Sequence, residues 1–97
     1  MPDYVRVVTF ESTDAALDAL VSEIDSHEGP PEGVPAKSIM VLADRAGGKT
    51  RVVVRFGSEA DLQKGAETLE SMSPPDTGGM RRISVEAFEV VLERQSP

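Results

Sequence analysis

The sequence predicts an α+β domain in the order β-α-β-β-α-β, a four-stranded antiparallel sheet with two helices on one face. Three observations predict it. Four runs rich in β-branched and aromatic residues are interleaved with two runs whose apolar residues recur at helical spacing. Breaks rich in Gly and Pro separate the runs at 28–35, 45–49 and 73–80. The 97 residues make a single domain, since roughly 100–150 residues is the usual size and no second core fits.

Tyr4-Val5-Arg6-Val7-Val8-Thr9-Phe10 is β-branched and aromatic and reads as the first strand. Ser12 or Thr13 then offers an N-cap, with Asp14 in the first turn where the helix dipole favours a negative charge. Leu17, Leu20, Val21 and Ile24 give that helix an apolar stripe, and Gly29-Pro30-Pro31 ends it by removing donors and fixing backbone angles. Glu28–Pro35 is expected as a loop.

Ala36–Asp44 and Thr50–Phe56 read as the second and third strands, joined by a hairpin at Arg45-Ala46-Gly47-Gly48-Lys49 because Gly accepts the positive φ such turns need. Ser58 caps a second helix with Asp61 three residues on, and Leu62, Ala66, Leu69 and Met72 form its stripe. Gly65 either weakens this helix by up to about 1 kcal/mol or admits a neighbour closely. Ser73–Met80 is a second loop, Arg82–Leu92 the last strand, and 93–97 a frayed tail. Two strand–helix–strand halves in this order form the split βαβ, or ferredoxin-like, arrangement with strand order 4-1-3-2.

Side chains alternate along a strand, so each strand divides into two sets. One set is Val5 and Val7, Ile39 and Val41, Val52, Val54 and Phe56, and Ile83, Val85 and Ala87; it is expected beneath the helices. The other is Tyr4, Arg6, Val8 and Phe10, then Ser38, Met40 and Leu42, then Arg51, Val53 and Arg55, and last Ser84, Glu86, Phe88 and Val90. A sheet face left in water should be mostly polar, and this one is not. A second copy of the chain is its expected cover.

On this two-faced pattern the chain resembles the dimeric α/β-barrel superfamily, in which two ferredoxin-like subunits pack sheet against sheet. The resemblance spans residues 4–92. Ser58-Glu59-Ala60-Asp61-Leu62 through Ser73-Pro74-Pro75-Asp76, with Arg81-Arg82-Ile83-Ser84-Val85-Glu86, is similar to a small group of uncharacterised bacterial proteins of that superfamily. The resemblance implies a homodimer. Superfamily members include cofactor-independent monooxygenases, lactone isomerases, haem enzymes and ligand-binding domains. Asn and Trp, often important in the monooxygenases, are absent here, and His27 falls outside the strands where a haem ligand would sit.

Composition narrows the chemistry. With no Cys there are no disulfides, thiol nucleophiles or thiolate metal sites. The start Met1-Pro2-Asp3 lacks a signal peptide's basic and apolar regions, and no run reaches the ~20 apolar residues of a membrane span, so a cytoplasmic protein is expected. Net charge of −7 argues against nucleic acid. The charge is uneven: residues 37–57 hold five bases and one acid, a locally basic segment able to receive an anion or a partner's carboxylates.

Gly47-Gly48-Lys49-Thr50 looks like the end of a phosphate-binding loop, but Ala43 stands where that motif needs Gly and a strand follows where it needs a helix. His27, the one histidine, fits a helix-end dipole partner; no metal and no cofactor are expected. The candidate ligand site is Arg6, Arg55 and Glu86 on the mixed face, with Tyr4 and Phe10 as apolar walls. Two guanidinium groups there would need a second negative group besides Glu86, from a ligand or a partner subunit. The expected function is therefore a homodimeric small-ligand-binding or interaction module, the ligand anionic or carbonyl-bearing. The alternative is a cofactor-independent oxygenase or isomerase acting on a small aromatic or polyketide-like substrate.

Overall fold

The computed structural model describes residues 2–27, 29, 33–71 and 79–96. Much of the two loops expected over Glu28–Pro35 and Ser73–Met80 lies outside the described residues, as does Met72 of the second helix's stripe. The elements are β1 (Tyr4–Ser12), α1 (Asp14–Asp25), β2 (Ala36–Asp44), β3 (Lys49–Phe56), α2 (Glu59–Ser71) and β4 (Met80–Glu89). The sheet order is β2-β3-β1-β4 with every neighbour antiparallel. The fold is the ferredoxin-like α+β arrangement, with β1 and β3 central.

Local chemistry sets the element ends. Thr13 Oγ1 accepts from the Ala16 amide at 3.1 Å and starts α1, and the Asp61 amide donates to Ser58 Oγ at 3.1 Å to start α2. The β2–β3 hairpin closes with Gly48 at φ +66° and with the Gly47 amide donating to Asp44 Oδ1 at 2.9 Å. Gly47-Gly48-Lys49-Thr50, which only look like the end of a phosphate-binding loop, are turn and strand, as the hairpin expectation had them. The end of β1 is held from both sides, the Ser12 amide by the Gly48 carbonyl and the Thr13 amide by the Gly79 carbonyl.

The core sits under α2. Phe56 is fully buried and packs with Val34, Val54 and Leu62. A Cβ on Gly65 would fall on the Phe56 ring. Gly65 therefore serves close approach, the second of its two expected roles.

One expectation is corrected. Directly paired residues of antiparallel strands share a face, and the register pairs Tyr4 with Phe56, Arg6 with Val54, Val8 with Val52 and Phe10 with Thr50. Tyr4, Arg6, Val8 and Phe10 therefore lie on the helix side, and Val5 and Val7 on the open side, the reverse of the expected phase for this strand. Tyr4, Val8 and Phe10 offer more apolar area than Val5 and Val7, and the one charge among them, Arg6, meets a carboxylate from α2. The other strands keep their expected phase except around a bulge opposite Thr9 and Phe10. There Arg82 pairs with Phe10 and Ile83 is displaced from the inward set, 47% exposed.

Candidate functional site

The open face of the sheet is the candidate site, and the register orders it into rows running from β2 to β4. The first is Ser38, Arg55, Val5, Phe88; the second is Met40, Val53, Val7, Glu86. The third is Leu42, Arg51, Thr9, Ser84; the fourth is Asp44, Lys49, Glu11, Arg81. Five of the eight side chains in the first two rows, with Leu42, decide its character: Val5, Val7, Val53, Met40 and Phe88 are apolar, and Met40 and Phe88 are about half exposed. The fourth row alternates in sign and closes one end, with Arg81 bridged to Glu11 at 3.0 Å.

The five sequence-predicted site residues do not share this face. Arg55 and Glu86 are on it. Tyr4, Arg6 and Phe10 are on the helix side, so the two guanidinium groups expected side by side are separated by the sheet. Tyr4 Oη donates to Glu89 Oε2 at 3.5 Å, and its hydroxyl pKa is raised, first by desolvation and then by the charge of Glu89 and Glu59.

Arg6 is buried and its Nη2 donates to Glu70 Oε1 at 2.8 Å; Arg82 Nη1 reaches the same oxygen at 2.7 Å. The hydrogen bond from Arg82, with the charges of Arg82 and Arg6, holds Glu70 below the ordinary carboxylate range although desolvation opposes it. Arg55 is neutralised by residues the sequence reading did not select. Its Nε donates to Asp3 at 2.6 Å, and its Nη1 and Nη2 grip Glu93 at 2.6 and 2.8 Å. Arg55 is raised by Glu93 and then by Asp3, and both carboxylates are lowered, Asp3 also by Lys37. Glu93, expected in a frayed tail, is thus tied to the sheet. No family model, curated protein or solved structure matches the chain.

The basic segment 37–57 is resolved into paired and unpaired members. Lys37 and Arg55 share Asp3, and Arg45 bridges Asp14 and Asp18 of α1. Lys49 and Arg51 have no ion-pair partner among the described residues, and both line a half-open groove of about 310 Å³ with Leu42, Ala43 and Asp44. Arg51 Nε donates to Thr9 Oγ1 at 3.3 Å, which leaves its terminal nitrogens directed to no carboxylate. Glu86, across from Val7, also lacks an ion-pair partner among the described residues. The sequence signal for Arg51 was the local excess of bases; nothing local distinguished it from Arg45 or Arg55.

Among the described residues no three His, Cys, Asp or Glu side chains converge as metal ligands would, and no helix is long and apolar enough to cross a membrane. His27 Nε2 lies 3.3 Å from Glu23 Oε1, one turn back on α1, an exposed helix-end contact.

Proposed function

We propose that the chain is an interaction module of the dimeric α/β-barrel type that self-associates through the open face of its sheet. The observation that supports this most is the row Met40, Val53, Val7 across all of β2, β3 and β1, apolar on the side no helix covers. An antiparallel sheet with one face in water alternates apolar with polar, and this one still turns Val5, Val7 and Val53 outward on its two central strands, flanked by Met40 and Phe88 on the edges. The rim favours a second copy. The chain carries −7 overall, yet its open face places Arg51, Lys49, Arg55 and Arg81 among Asp44, Glu11 and Glu86, so two copies meet there without the repulsion of their outer surfaces.

Four strands about 4.8 Å apart and eight residues long present roughly 500 Å² each, or roughly 1,000 Å² for two, the lower bound of a specific interface. An interface of that size stands at the weak, reversible end of specific association. Separation of Arg6 from Arg55 removes the pocket built on both, which favours association over a ligand gripped by the two arginines.

Light scattering at tens of micromolar protein tests this reading. The wild type should show about twice the 10.4 kDa chain mass. Val53→Asp places two unpaired carboxylates at the centre of the assembly, a cost of several kcal/mol, and should give a monomer. Met40→Asp, at a position 54% exposed in the single chain, should do the same without loss of fold. A wild type that stays monomeric overturns the proposal.

A further inference from the structure

We infer that in the two-copy assembly Arg51 of each copy pairs with Glu86 of the other, so that two symmetric ion pairs set how the sheets meet. The inference rests on the self-association proposed above. It starts from a tally of charge on the open face. Arg55 is already held by Asp3 and Glu93. The fourth row lies at the end of the sheet, where Lys49 stands between Asp44 and Glu11, and Arg81 is bridged to Glu11. In the two middle rows only two ionised groups remain, Arg51 on β3 and Glu86 on β4, and neither has an ion-pair partner among the described residues.

Covering either of them without a counter-charge opposes association strongly. In an isologous dimer the cover is the same face again, so each residue can be met only by what that face offers. Its middle rows offer one cation and one anion. Arg51 against Arg51, or Glu86 against Glu86, would be repulsive; Arg51 against Glu86 satisfies both groups twice over. The positions allow it, since Arg51 lies toward the β2 side of the sheet and Glu86 on the opposite edge strand, and a two-fold axis running along the strands between the faces exchanges those sides. The guanidinium of Arg51, braced by Nε on Thr9, keeps its terminal fork free for a carboxylate. The pair would act as a register device, excluding sheet-on-sheet arrangements that the apolar rows alone would tolerate.

Charge reversal tests this, read as the dimer dissociation constant by sedimentation with far-UV circular dichroism to confirm the fold. Both side chains are exposed in the single chain, so folding should be unaffected. Arg51→Glu and Glu86→Arg should each weaken the dimer at least ~10-fold, because each sets like charges opposite one another. The double variant restores opposite signs in exchanged places and should return to within about threefold of wild type. A dimeric wild type with unchanged single variants, or a double variant as weak as the two singles combined, would overturn the pairing and leave self-association standing. A monomeric wild type would overturn both.

Discussion

Replacing Gly65 with Ala sets two effects of known sign against each other. Ala is the better helix former by about 1 kcal/mol, and Gly65 lies in the interior of α2, so propensity alone predicts stabilisation. The structure predicts the opposite. The new Cβ would fall among the ring atoms Cε1 and Cζ of Phe56, and Phe56 is enclosed by Val34, Val54 and Leu62 with no exposed surface. The ring has nowhere to swing, and overpacking of this kind costs roughly 1–3 kcal/mol. The net expectation is a loss of up to about 2 kcal/mol, or as much as several degrees in Tm at roughly 4–8 °C per kcal/mol for a domain of this size.

Urea unfolding at fixed protein concentration is the assay, because association would otherwise shift the midpoint. Phe56→Leu supplies the control, since it shortens the side chain where the methyl would land. The Phe56→Leu, Gly65→Ala double variant should be more stable than the sum of the two changes by at least ~0.5 kcal/mol. Stabilisation of the single Gly65→Ala variant by about the full propensity gain would refute the close approach of α2 to β3 and the placement of the core beneath it.

Two further outcomes follow from the same geometry. Glu70 is held below its ordinary 4.5 by Arg82 and Arg6, so it adds stability that is complete above that value and is lost as pH falls through its lower folded value; Glu70→Gln should flatten that acid limb of a pH–Tm curve, and an unchanged limb would remove Glu70 as its source. Gly48→Ala should cost about 1 kcal/mol in urea unfolding, from its φ of +66° and not from crowding, since the nearest atom a Cβ would meet is the Ser12 carbonyl oxygen at 3.6 Å; Gly48→Asn should cost less, and equal costs would show that backbone conformation is not the cause.

Element order, strand order and caps were legible because each rests on neighbours in sequence: Thr13 before Asp14, Ser58 before Asp61, Gly47-Gly48 between two β-branched runs. The phase of β1 was not. Both of its side-chain sets are apolar, and the choice between them turns on Glu70, sixty-four residues away, which makes Arg6 tolerable beneath α2. The bulge opposite Thr9 and Phe10 was equally hidden, because no Gly or Pro marks it. The expected site failed for the same reason. Arg6 and Arg55 were placed together by strand order, which is correct, and by phase, which is not. Glu93 was passed over because terminal position, not chemistry, assigned it to a tail.

That error in phase narrows the apolar part of the open face to its first two rows and Leu42, and β1 itself shows why. With Tyr4, Arg6, Val8 and Phe10 outward, the open face would have been apolar through Val8 and Phe10. With Val5 and Val7 outward, as the register has them, it is apolar through those two valines. Either phase leaves two apolar side chains of a central strand on the open face. The neighbouring central strand adds Val53 alone to that side, between Arg51 and Arg55. Apolar residues on both sides of a strand belong to strands covered on both sides, whereas strict alternation belongs to strands covered on one. The helices cover one side of β1 and β3. A cover that matched the other side would be apolar at its centre, would meet a cation toward one side and an anion toward the other, and would tolerate a rim of alternating sign. The proposed self-association supplies such a cover, because the open face of a second copy carries the same apolar centre, the same cation and anion, and the same rim.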